Sequence, residues 1–286
     1  MMRIGVQTMM LKDLFASDGV YPTLARVRAI GYQAVEVSQV PMTPENVAAL
    51  ERSRDELGVQ IASLSAAVSA PRGFAGDSLE HDFDKIVADA RRLDASHLRI
   101  GMLPFAAMES LDTVLAFCAR ADEFAVRLRD HGIRLAYHNH HLEFTKYDGQ
   151  YLLDLIAEEA PALDLEVDVH WVQRGGLDPV RMLSTYGERI TLVHLKDYRI
   201  APIAPEAFDL LAQGDFAGFM SAFTNTVQFA EVGEGSLDFA AILAECRAQG
   251  VRFAFVEQDD LYGRTALDCL QTSYDNLIAL GAADLF

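Results

Sequence analysis

Basic residues are scarce in this chain: 24 lysines and arginines stand against 42 acids, a formal net charge of −18 over 286 residues. A field of that sign repels phosphodiester backbones and favours solubility, so nucleic acid is not an expected partner. Cysteine is equally sparse. Cys118, Cys246 and Cys269 are odd in number, widely spaced and set in helical patterns, which argues against a disulfide framework or a cysteine metal knuckle and leaves packing thiols. No run of about 18 uninterrupted apolar residues is present, so no membrane span is predicted. The opening MMRIGVQTMMLKDLF lacks the charged-then-apolar plan of a signal peptide, and a reduced, cytoplasmic protein is the expectation. A glycine-rich phosphate turn is also missing after the first apolar strand, where GVQTMM stands instead, which disfavours a doubly wound dinucleotide-binding sheet.

What the chain does have is a rhythm. Short β-branched or apolar runs fall at Arg3–Gln7, Ala34–Val37, Gln60–Leu64, His97–Ile100, Arg134–His138, Leu163–Asp168, Ile190–His194 and Arg252–Glu257. Helical periods lie between them, as in Pro44–Gly58, Leu79–Leu93 and Leu111–Gly132, and Gly31, Gly58, Gly132 and Gly250 stand where helices should stop. Strand then helix, eight times at a spacing of roughly 30 residues, predicts an α/β fold of the (β/α)₈ barrel type, a single domain over residues 1–286, with the open doubly wound sheet as runner-up. One interval breaks the rhythm. An extended loop between strands seven and eight holds the apolar stretch Asp197–Phe239, read as an excursion over the barrel mouth that serves as a lid, an oligomer contact or elaboration.

Polar residues collect at the C-terminal ends of the predicted strands, where barrel enzymes build their sites. Strand alternation turns Leu165, Val167 and Val169 toward the helices and leaves Glu166, Asp168 and His170 facing the axis. The same count groups Ala136, His138 and His140, then His194 with Lys196, then Phe253, Phe255 and Glu257; Gln7 and Glu36 fall at the same level. Five of the eight histidines lie at or just past the ends of strands five to seven, whereas His97 opens a strand at the opposite face. Carboxylates converging with imidazoles suit one divalent ion of the Mn²⁺, Mg²⁺, Co²⁺ or Zn²⁺ group. Such an ion polarises a carbonyl beside a hydroxyl and eases enediolate formation, which makes a polyhydroxylated carbonyl compound the expected small-molecule substrate.

The segments HNHHLEF (His138–Phe144), EVDVHWVQRGG (Glu166–Gly176), HLKD (His194–Asp197), EVGEGSLDF (Glu231–Phe239), VEQDD (Val256–Asp260) and SYDNL (Ser273–Leu277) are weak singly. In this order and at these spacings they resemble the sugar phosphate isomerase/epimerase family, the group with the xylose-isomerase-like TIM barrel. The resemblance implies a metal held by Glu143, Asp168, His194 and Glu257, with Glu143 and Glu257 doubling as acid and base. Epimerases of the superfamily carry a glutamate at the end of strand five, where this chain has His138, so His138 and Glu143 are alternative ligands. Contacts to substrate hydroxyls would come from His138, His140, His170, Lys196 and Glu36. Lys196 stands where those epimerases place an arginine. No phosphate cradle is legible, only Arg72, Arg174, Lys196 and Arg199 as loop cations near the mouth. Related barrels dehydrate keto-inositols or dehydroshikimate, so a lyase is the rival within the enzyme class. A nuclease with several zinc ions and a non-catalytic sugar-binding barrel complete the alternatives.

Overall fold

The computed structural model describes residues 2–69 and 76–286, so Arg72, one of the loop cations named above, lies outside the described residues. Eight parallel strands close into a barrel: β1 (Arg3–Gln7), β2 (Ala34–Glu36), β3 (Gln60–Ser65), β4 (His97–Ile100), β5 (Arg134–His138), β6 (Asp164–Asp168), β7 (Ile190–Leu195) and β8 (Phe253–Val256). Each strand pairs with its neighbour in sequence, and β8 pairs back onto β1. All eight expected strands are present, with no end shifted by more than one residue, and the (β/α)₈ fold class stands.

Local chemistry explains the helix limits. Thr43 caps the helix Pro44–Leu57 by accepting from Asn46 N, Pro44 fills the first turn where no N–H is needed, and Gly58 leaves it in the left-handed region at φ 68°. Ser110 and Thr113 cap the helix Leu111–Arg129 reciprocally. Asp238 caps Phe239–Ala248 by accepting from Ala241 N.

Two layers of core follow from the alternation. Ala34, Ala62, Ala136, Leu192, Phe253 and Phe255 fill the barrel axis, small side chains opposite large ones, while the larger cluster packs the outer sheet face against the helices. Gly5 belongs to the axial layer because any Cβ there would lie 2.4 Å from the Ala34 carbonyl oxygen. The expected excursion after β7 consists of an antiparallel ribbon, Asp197–Ile200 against Val227–Ala230, enclosing the helices Pro205–Ala212 and Phe216–Thr224. Asp197 ties this excursion down: its carboxylate accepts from the N–H groups of Tyr198, Gly233, Gly235 and Leu237.

His97 sits at the N-terminal end of the barrel, 1 % exposed, edge-on to Phe253 at 5.9 Å between ring centroids. Burial pushes its imidazole down to about 4. An unfolded histidine near 6.5 takes up a proton that the folded one refuses, so stability contributed by neutral His97 is present above about pH 6.5 and is lost as the pH falls toward 4. In urea titrations across that window, His97→Gln should make the loss shallower by up to ~1.4 kcal/mol per pH unit; an unchanged slope would contradict the assignment.

Candidate metal centre

At the C-terminal end of the barrel, β5, β6 and β7 and the turn after β8 deliver His138, Asp168, His194 and Glu257, all fully or almost fully buried, with one donor atom from each lying within 4.8 Å of the others. The strand period explains their meeting: each sits on the same inward parity as the axial residues one layer below, Ala136, Glu166, Leu192 and Phe255. Asp168 serves two ends. Its Oδ1 accepts from Trp171 N at 3.0 Å and so caps the helix Val169–Arg174, which leaves Oδ2 turned to the cluster. Gln7 Nε2 donates to Glu257 Oε1 at 2.7 Å and in the same way directs Oε2 inward.

The inward atoms are the ones left unsatisfied. Asp168 Oδ2, His194 Nδ1 and Glu257 Oε2 are buried without a hydrogen bond, and His138 turns Nε2 toward Asp168 Oδ2 at 4.0 Å. Lys196 Nζ faces Asp168 Oδ2 at 3.0 Å and Glu257 Oε2 at 2.8 Å, and His194 Nδ1 lies 2.8 Å from Glu257 Oε2. Charge rather than hydrogen-bond geometry holds these groups together. Two imidazoles and two carboxylates with unspent donors are a suitable ligand set for a divalent cation, the carboxylates favouring the harder members of the series.

Electrostatics keep the cluster ionised. Burial opposes charge on Glu257, but the Lys196 and His194 cations outweigh it and hold the carboxyl well below the usual range. For His194, burial is likewise outweighed, here by Glu166 and Glu257, and the imidazole is raised well above its ordinary value. Beneath it, His194 Nε2 meets Glu36 Oε1 at 2.9 Å and Glu166 Oε1 at 3.2 Å. Arg99 joins Glu36 and Glu166 at 3.0 Å each. Burial and the adjacent Glu36 charge push Glu166 up to about 8. The Glu36–Glu166–His194 group could also hold a metal by its geometry, but the Arg99 guanidinium already neutralises it.

The family model of the xylose isomerase-like TIM barrel matches residues 24–261. The chain belongs to that xylose isomerase-like family. Solved structures with the same fold include a sugar phosphate isomerase/epimerase from Parabacteroides distasonis (21 % identity, 96 % of this chain and 97 % of that one, TM-score 0.73). An L-ribulose 3-epimerase is similar over 100 % of this chain and 96 % of its own at 16 % identity and TM-score 0.68. The probable 3-DHS dehydratase AsbF of Bacillus anthracis is similar over 96 % and 98 % at 15 % identity and TM-score 0.67. None of the curated proteins compared matches the chain. Among the described residues no helix is long and apolar enough to cross a membrane.

In this xylose isomerase-like barrel the expected site residues are only partly brought together. Asp168, His194 and Glu257 meet, and His138 completes the group. Glu143, which the resemblance implies as a ligand, is not in that group. Tyr137 precedes His138 and points to the opposite face of β5; its hydroxyl donates to Glu143 Oε1 at 2.6 Å while His140 N donates to Oε2 at 2.8 Å. Each oxygen of Glu143 thus accepts a hydrogen bond within β5 and the loop after it. Glu36, expected as a substrate contact, is buried and bonded to Arg99 and His194. His140 and His170 line the mouth, and Lys196 lies among Asp168, Glu257 and Asp259. Sequence reasoning overlooked Arg99 and Asp259 as partners. For Arg99 the alternation in HLRI was the available signal, since it shares the inward parity of His97.

Lys196 competes with any cation for Asp168 Oδ2 and Glu257 Oε2. Lys196→Met should tighten Mn²⁺ binding in isothermal titration by about tenfold or more, ~1.4 kcal/mol; weaker binding would mean that the lysine supports the site rather than competes for it.

Proposed function

We propose that the chain is a divalent-metal-dependent isomerase or epimerase that moves a proton next to the carbonyl of a polyhydroxylated substrate through an enediolate. The observation that carries this reading is the convergence of unspent donors from His138, Asp168, His194 and Glu257 beside a buried ammonium. A divalent ion bound by these four residues would supply electrophilic polarisation of the carbonyl.

The chain's own groups have separable parts. Glu257 is ionised, its Oε1 fixed by Gln7 and its Oε2 turned into the cluster, and in this reading the carboxylate both binds the ion and takes the proton from the carbon next to the carbonyl. The Lys196 ammonium, 2.8 Å from that oxygen, is placed to donate to negative charge developing on substrate oxygen. Desolvation strengthens both interactions, because Lys196 and Glu257 are almost wholly buried. His140 and His170 are each pushed down to about 4 by burial and so stand neutral at physiological pH, able to exchange hydrogen bonds with hydroxyls without adding charge. Glu143, which the resemblance makes a second acid/base group, is reassigned to holding the loop.

Glu257→Gln should lower turnover by about 100-fold or more, the usual worth of a positioned base, while Glu143→Gln should retain activity within about tenfold. Product mass decides the reaction type. Isomerisation conserves it, and loss of one water from the product would replace this reading with the lyase. Full turnover by Glu257→Gln would remove the mechanism altogether.

A further inference from the structure

At the end of the barrel away from the metal-ligand cluster, arginines gather on a chain whose net charge is −18. The inward positions of the lowest layer hold Arg3 on β1, Gln60 on β3, His97 on β4, Arg134 on β5, Asp164 on β6 and Phe253 on β8. Arg54, Arg129, Arg189 and Arg252 edge the same face. Most of these cations are engaged. Arg134 pairs with Asp164 through two nitrogens, and Arg54 lies 2.7 Å from Asp55 while donating to the Arg92 carbonyl. Arg129 and Arg189 donate to main-chain carbonyls between Ala157 and Leu163, closing a helix end.

Arg3 and Arg252 differ from the rest. Backbone pairing sets them side by side, Arg3 N donating to the Arg252 carbonyl at 3.0 Å. Arg3 Nη1 donates to Gln60 Oε1 at 3.2 Å, and among the described residues neither arginine pairs with a carboxylate. With Gln60 and Phe253 the two line a cavity of about 200 Å³ that holds no acid. An adjoining cavity of about 220 Å³ shares Arg3 and Gln60 but carries Asp94, which would repel an anion.

A buried nitrogen borders the first cavity. His97 reaches across the axis from β4 to meet Phe253 of β8 edge-on at 5.9 Å, the two strands standing on opposite sides of the barrel. Its ring is 1 % exposed; Ser96 Oγ meets Nδ1 at 2.9 Å, and Nε2 has no partner among the described residues. An unsatisfied buried nitrogen calls for a polar occupant nearby. Like charges held together without a counter-ion repel, so the arginine pair stands at lower energy with an anion between its members.

We propose that Arg3, Gln60 and Arg252 form an anion site at the N-terminal mouth of the barrel that takes a phosphate group, free or terminal on a small molecule. Two guanidinium forks present paired donors to a tetrahedral oxyanion and balance its two negative charges. Because Arg3 holds Gln60 Oε1, the amide nitrogen is left to donate as well. None of these residues touches the metal-ligand cluster, so the site does not depend on the isomerase reading.

The test is isothermal titration of the full chain, stripped of metal and held at constant ionic strength with sodium chloride, with inorganic phosphate, glycerol 3-phosphate and succinate. One phosphate group per chain should bind with Kd about 1 mM or tighter, roughly tenfold or more ahead of succinate. The tighter of the two phosphates tells whether the site takes the free ion or a monoester. Arg3→Gln and Arg252→Gln should each weaken binding about tenfold. Both side chains are exposed, so the unliganded variants should unfold at the wild-type temperature. Arg174→Gln, at the opposite mouth, should leave the affinity unchanged. No saturable heat from either phosphate, succinate binding as tightly, unaltered affinity in Arg3→Gln or Arg252→Gln, or loss of binding in Arg174→Gln would overturn the proposal.

Discussion

The structure depends on a buried balance of charge. Glu36, Glu166, Asp168 and Glu257 enter the barrel within reach of Arg99, His194 and Lys196, and all of them are nearly or wholly withdrawn from water. Isolated charges in such a place cost several kcal/mol each, so the arrangement holds only while the signs match. Glu166 is the group that yields: raised to about 8, it is mostly protonated at neutral pH, and three anions then face three cations. A divalent ion entering that set must displace a proton or move the lysine, because histidine binds metal only when neutral. The proposed ion binding and the stability of the barrel are therefore linked through the same residues.

The barrel itself was legible because its signals repeat. Eight apolar runs separated by helical periods and glycine stops leave few other topologies, and inward parity correctly grouped Ala136 with His138 and Phe255 with Glu257. Asp168, His194 and Glu257 were legible for the same reason, standing at or just past strand ends, where backbone direction fixes the side chain.

Where regular structure ends, that reasoning loses its grip. DVHW reads as a continuing strand, which would turn Trp171 outward; the helix instead begins at Val169, capped by Asp168, and rotates Trp171 back over the mouth. Glu143 matches a family motif by spacing, yet the outward-facing Tyr137 captures its carboxylate. Phe229 approaches His170 from the far side of a ribbon and two helices, a contact with no local trace in sequence. Arg99 sits in a strand of four residues, too short for a periodic pattern to be read with force.

The central claim is that His138, not Glu143, completes a mononuclear site with Asp168, His194 and Glu257. A crystal structure grown with Mn²⁺, with an anomalous difference map phased at the manganese edge, tests it directly. The account predicts one peak per chain, bonded to those four side chains, with Glu143 still held by Tyr137. No peak there, or a peak bonded to Glu143 with His138 turned away, would contradict it.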